Sequence, residues 1–180
     1  MPNFPQTYDR TTISLHWFTA ACVALLWVIG QTADWISDGR VNTAYWSFHV
    51  VLGLVLTVVL LFRMAWRATA GRGLPAADAG ALHVLAKTTH VLLYGLLLGV
   101  VALGIANALV RGYDLFGVVR LPQIGDRALR RPITQWHGLV ANILLGVAAF
   151  HAAAALAHQY LWRDGLIGRM SLARRPADRR

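Results

Sequence analysis

Charged residues divide this chain into four long apolar windows. Cutting at every Asp, Lys and Arg leaves Thr11–Ala33, Val41–Phe62, Thr88–Val110 and Ile133–Trp162 uncharged, with lengths of 23, 22, 23 and 30 residues. About 20 apolar residues in a helix cross the hydrocarbon core of a bilayer, so each window is long enough to span with some tilt. The pattern predicts helices over about 11–34, 43–66, 86–110 and 133–162. Six of the seven tryptophans (Trp17, Trp35, Trp46, Trp66, Trp136 and Trp162) lie near window ends, where an aromatic belt places them. The expected fold is all-α, an integral membrane antiparallel four-helix bundle forming a single domain over 1–180. Between the windows, the arm Met1–Arg10 carries two prolines and is expected to be loosely structured. Gly71–Pro75 reads as a Gly/Pro connection, and the stretch after Arg111 as the longest loop, with Pro122 and Pro132 as breakers.

Composition sharpens this picture. The chain has 180 residues, 57% of them hydrophobic, and a net charge of +9. It contains no Glu and one Lys, so the charge comes from arginines in connections and tail. In a soluble protein that excess suggests nucleic acid; beside membrane spans it is read as juxtamembrane charge facing lipid, with no nucleic-acid partner. Eleven of the 17 Lys/Arg fall on the side shared by the N-terminus, the second connection and the tail. The positive-inside rule then places both termini in the cytoplasm. The far side is a partial exception: Arg111, Arg120, Arg127, Arg130 and Arg131 share the third connection with only Asp114 and Asp126. Those arginines fit either cofactor carboxylates and lipid phosphates or a positive patch that gathers a small anion. The single Cys22, inside the first window, excludes an intrachain disulfide and reads as a packed thiol. The first window lacks a basic leader and is expected to stay uncleaved.

Seven histidines carry the chemistry. His137 and His151 sit fourteen residues apart in the fourth window, close to four helical turns and about 21 Å along the axis. Their stripe, His137, Ala141, Leu144, Ala148, His151, Ala155 and His158, follows helical spacing and is rich in alanine, leaving room for a flat, wide group. An imidazole in lipid is costly unless something uses it, and a porphyrin needs an axial imidazole. With the termini inside, depth pairs His49 with His137 near the outer surface and His16 with His151 near the inner one. Each pair suits one haem held from both faces. No C-x-x-C-H motif occurs, so two non-covalent haem b groups are expected. Bis-histidine ligation leaves no open iron position, which points to electron transfer, and an acceptor inside the bilayer points to a quinone. His83 reads as a solvated residue in the second connection. His90 and His158, at inner depth, read either as interfacial histidines or as quinone and proton groups, with His90 also a rival to His151 as the partner of His16.

The segments Ile13-Ser14-Leu15-His16-Trp17, Thr89-His90-Val91-Leu92-Leu93-Tyr94 and Trp136-His137-Gly138, with His49 and the run from His151 to Tyr160, resemble the bacterial cytochrome b561 family. The likeness covers nearly the whole chain and is most specific in the last run. It implies His16, His49, His137 and His151 as haem ligands, and His90 and His158 as candidates beside a quinone. An enterobacterial member of the family oxidises superoxide at the outer haem and reduces ubiquinone near the inner one, so the resemblance implies the same activity in the bacterial inner membrane. The helix pattern is also similar to the cytochrome b subunits of formate dehydrogenases and NiFe hydrogenases. The third connection matches poorly. Two alternatives therefore stand beside a superoxide:ubiquinone oxidoreductase: an electron-transfer subunit of a larger dehydrogenase or hydrogenase, and a membrane protein binding metal without haem.

Overall fold

A computed structural model describes residues 7–77 and 79–172. Four long helices dominate it: α1 (Arg10–Thr32), α2 (Gly39–Thr69), α3 (Gly80–Arg111) and α4 (Arg130–Ala157). All four are long and apolar enough to cross a membrane. Each packs on its neighbour in the chain, and α1 closes the ring against α4.

Local signals set the helix ends. Asp9 caps α1 by accepting from Thr12 N at 2.8 Å, and Asp38 caps α2 by accepting from Arg40 N and Val41 N. Gly112, at φ +63°, ends α3 in the left-handed conformation that glycine adopts without strain. The helices α2 and α3 overrun their uncharged windows at both ends, because a charge ends an apolar run without ending a helix. Thus α3 starts at Gly80, and His83 is an exposed residue of its first turn instead of part of a loop. Pro132 does not break the chain either. It lies in the first turn of α4, where its missing N–H has no helical partner to lose.

The third connection holds a small hairpin, β1 (Asp114–Leu115) antiparallel to β2 (Val119–Arg120), with Asp114 opposite Arg120. Its turn is pinned to α2, since Phe116 N donates to the buried Ser47 Oγ at 2.9 Å.

Beyond α4 the backbone widens into a π-turn, His158–Trp162, and a 3-10 turn follows at Leu166–Met170. Tyr8 N donates to Arg169 O, and Trp17 Nε1 to Met170 O at 2.9 Å. The N-terminal and C-terminal segments therefore meet at one end of the bundle, here the termini end. Thr7–Arg10 is correspondingly held in place; residues 1–6 of the arm, and Arg174, Arg175, Arg179 and Arg180 of the basic tail, lie outside the described residues.

The buried core is small and central. Leu60, Leu97, Val100 and Leu144 form it, and Ala141 and Val140 pack against it. Leu144 lies midway between His137 and His151, so this cluster separates the two ends. Val58 and Val91, about two-thirds exposed, point outward as lipid-facing side chains do.

Candidate functional site

Two pairs of histidines face each other across the bundle. At the far end, His49 of α2 and His137 of α4 have ring centroids 6.2 Å apart. At the termini end, His16 of α1 and His151 of α4 have centroids 6.3 Å apart. A metal bonded to one nitrogen of each ring, with two bonds of about 2 Å and the ring halves behind them, sets the centroids roughly 6 Å apart. Both pairs meet that span. Among the described residues no three His, Cys or Asp side chains cluster to hold a bare metal ion. Two imidazoles alone would leave an iron site incomplete, and a porphyrin would supply the remaining nitrogens.

The surroundings of the far pair fit this use. His137 Nδ1 donates to Val100 O of α3 at 3.0 Å, which leaves Nε2 free for a metal. Gly104 makes that approach possible: a Cβ there would stand 3.1 Å from His137 Cε1. The other ring repeats the arrangement on the other helix pair. His49 Nδ1 is buried and approaches the Leu26 carbonyl of α1 without closing a hydrogen bond, and Gly30 sits 3.7 Å from His49 Cε1 by the same measure. Each of these two histidines thus has a glycine of a neighbouring helix close to its Cε1. Trp46 stands edge-on to His49, with centroids 5.6 Å apart. Trp46 also lines a cavity of about 260 Å³ with Asn42, Thr43, Tyr113 and Asp114.

The termini-end pair is built differently. His16 Nδ1 faces Arg63 Nη2 at 3.2 Å, and the guanidinium lies over the Tyr94 ring, 5.3 Å from its centroid. From the sequence, Arg63 reads only as a juxtamembrane charge. Its depth carried the missing signal, since the reckoning that pairs His16 with His151 also brings Arg63 level with His16. His90 stands 5.1 Å from His151, centroid to centroid. That is too short for an iron bonded between the two rings, so His16 is the better partner. His90 Nδ1 donates to Ala86 O of its own helix at 2.7 Å, leaving its Nε2 available.

His158 keeps α-helical register on the α4 stripe, its backbone N–H reaching Ala154 O, and the π-turn opens from it. It is buried with its ring against Trp162, centroids 4.4 Å apart. The Asp164 carboxylate accepts from His158 Nδ1 at 2.5 Å. That bond is the main reason the Asp164 pKa is lowered.

Of the third-connection arginines, Arg120, Arg127, Arg130 and Arg131 are the candidates for steering an anion, and they separate into different settings. Arg130 donates to Val110 O and Arg111 O, both at 3.3 Å, and so caps the last turn of α3. Arg120 lies opposite Asp114 in the hairpin. Arg127 donates to Gln123 Oε1 at 3.1 Å, and Arg131 is exposed.

A membrane bundle that holds facing histidine pairs between its helices defines a haem-binding electron carrier. The sequence comparisons agree. A family model described as prokaryotic cytochrome b561 matches residues 7–171. The chain is similar to cytochrome b562 of Cereibacter sphaeroides, 31% identical over 168 residues that cover 91% of this chain and 94% of the relative. It is also similar to cytochrome b561 homolog 1 of Escherichia coli, 27% identical over 171 residues that cover 91% of this chain and 96% of the relative. The chain belongs to the prokaryotic cytochrome b561 family of multi-pass, haem b electron-transfer proteins of the bacterial inner membrane.

Proposed function

We propose that this chain holds two haem b groups, one between His49 and His137 and one between His16 and His151, and moves electrons from superoxide to ubiquinone. The observation that carries the reading is the pair of matched centroid distances, 6.2 and 6.3 Å, at opposite ends of one bundle. Haem b, when bound, would supply one-electron exchange, and the imidazoles of His49, His137, His16 and His151 would hold it. Two superoxide anions each give one electron and leave as dioxygen, and one ubiquinone takes both electrons with two protons.

The charge pattern supports an orientation for the two ends. The positive-inside rule puts the termini end in the cytoplasm and the far end, with its arginine-bearing hairpin loop, in the periplasm. An anionic donor is drawn to that loop by its field. At the termini end, His158 and His90 are the candidates for holding the quinone and passing protons. The bond from buried His158 to exposed Asp164 links the interior to the aqueous surface.

The test is direct. Oxidised protein is mixed with a superoxide source and haem reduction is followed, with and without added ubiquinone. Reduction that quinone then reverses is expected. A red protein that superoxide leaves oxidised would return the chain to the subunit reading, and a colourless, iron-free one would end both.

A further inference from the structure

The two histidine pairs differ in what stands behind the ligand. At the far end, His137 Nδ1 meets a carbonyl oxygen, that of Val100, at 3.0 Å. At the termini end, His16 Nδ1 meets a guanidinium, that of Arg63, at 3.2 Å. These contacts have opposite polarity. A carbonyl accepts from the ring and makes the opposite nitrogen a stronger donor to a metal, which favours the oxidised, more positive iron. An arginine has donors only and stays charged, and a neutral imidazole bound to a metal through Nε2 keeps its proton on Nδ1, so the guanidinium would act through its positive field alone, which favours the reduced iron.

Nothing described nearby cancels the Arg63 charge. Its guanidinium rests on Tyr94, its Nε is buried without an acceptor, and no carboxylate pairs with it among the described residues. Asp9, at the same end, is engaged with Thr12, Trp66 and Arg72. Arg63 is thus a positive charge with no carboxylate partner, with Arg67 a second cation acting on it, and it touches a histidine of one pair only.

We propose that Arg63 makes the termini-end pair the electron-receiving one: its guanidinium against His16 stabilises the reduced state there, and electrons run from the far pair towards it. The inference rests on the two-haem reading above. One electron leaves the far site and one enters the near site, with no bond made or broken. Arg63 acts through His16 and is a positioning residue for charge. A unit charge at this range in a protein interior changes the reduction equilibrium by roughly tenfold or more.

The experiment is a potentiometric titration of the purified full-length protein with its haem, followed through the alpha band. Arg63→Gln is expected to lower one of the two midpoint potentials by at least tenfold in equilibrium constant, about 59 mV for a one-electron couple. The affected potential should be the one retained in His137→Ala. Arg63→Lys, which keeps the charge, should restore most of the shift. Both potentials unchanged in Arg63→Gln, both shifted equally, or Arg63→Lys shifted as far as Arg63→Gln, would overturn the proposal. Should Arg63→Gln lose the haem, Tyr94→Glu decides, because it leaves the guanidinium in place and cancels its charge. The same midpoint must then fall; an unmoved midpoint, or loss of haem in this variant as well, makes Arg63 a structural residue. Wild-type protein that binds a single haem, or none, counts against the two-haem reading instead.

Discussion

Gly104 of α3 stands where a Cβ would come within 3.1 Å of His137 Cε1, one helical turn past the Val100 carbonyl that accepts from His137 Nδ1. The bare glycine backbone lets the ring of α4 reach that carbonyl. The His137 ring is thereby fixed in orientation and tautomer, which leaves Nε2 without the proton. His49 over Leu26 and Gly30 is the looser counterpart, with 3.7 Å of room and an unclosed hydrogen bond.

Gly104→Ala and Gly30→Ala should therefore differ. Alanine raises helix propensity by about 1 kcal/mol at either position, so neither change should harm the helices themselves. At Gly104 the added methyl forces the His137 ring to shift, and a 10- to 100-fold loss of far-end haem affinity, about the size of other outer-shell changes, is expected. Gly30→Ala should cost little. Haem titration of the two variants measures this, and equal affinities would contradict the tight fit read at Gly104.

Ligand deletion tests the pairing itself. His137→Ala or His49→Ala should each halve haem content by emptying the same site, and His16→Ala or His151→Ala should each empty the other. Pyridine haemochrome assays count the haem, and the double variant His49→Ala/His137→Ala should lose no more than either single one. If His90→Ala behaved like His16→Ala, the 5.1 Å spacing argument against His90 would fail.

Much of this architecture was legible in the sequence, for a physical reason. Lipid punishes polar groups over about 20 residues at a time, so four windows and two histidine depths stand out without any tertiary information. The helix ends were less legible. Lys87 closes an apolar window, yet its long side chain permits the helix to continue, and α3 begins seven residues earlier at Gly80. Contacts between helices were not legible, because rotation and register come from packing. Gly104 opposite His137 and Arg63 against His16 depend on both. The π-turn at His158 was hidden as well, since nothing in His158-Gln159-Tyr160-Leu161-Trp162 marks the change from α-helical spacing.

Bulk added to the inward stripe of α4 should displace the cofactor. Ala148 lies on the line from Leu144 to His151, and Ala141 lies between His137 and Leu144, already packed against the core. Ala148→Leu or Ala141→Leu should cost more haem than the usual penalty of core overpacking, about 1–3 kcal/mol, implies, since a ligated porphyrin cannot shift freely. Val147→Leu, off that line, should be milder. Equal haem content in all three would place the stripe away from the cofactor.

Asp9 ties the start of α1 to α2, accepting from Thr12, Trp66 Nε1 and Arg72 N. Burial opposes its ionisation, but these hydrogen bonds outweigh it and hold the pKa at about 2. The folded value lies below the unfolded one, so the stabilisation is complete above about pH 4 and fades as pH falls towards 2. Asp9→Ala should lower stability by about 1 kcal/mol at pH 7, as loss of a helix cap does. Thermal melts in detergent should show the gap closing in acid. A gap constant down to pH 2 would mean that the charged form contributes nothing.

The far-end arginines separate a steering field from a structural cap. Arg130 holds the last carbonyls of α3, and Arg120 sits opposite Asp114 in the hairpin, which leaves Arg127 and Arg131 as exposed charges of the loop with no acidic residue across from them in the hairpin. Arg127→Gln/Arg131→Gln should slow haem reduction by superoxide several-fold at low salt and flatten its salt dependence, because such fields are screened within about 8 Å at physiological ionic strength. Reduction by a neutral chemical reductant should not change. Asp114→Asn should act oppositely, since it removes a negative charge from the cavity beside Trp46. Arg130→Gln should instead loosen the α3 terminus and slow both reductants alike. An unaltered superoxide rate and salt slope in the Arg127/Arg131 double variant, with its haem spectrum intact, would sink the steering account and leave these arginines as partners for lipid phosphate.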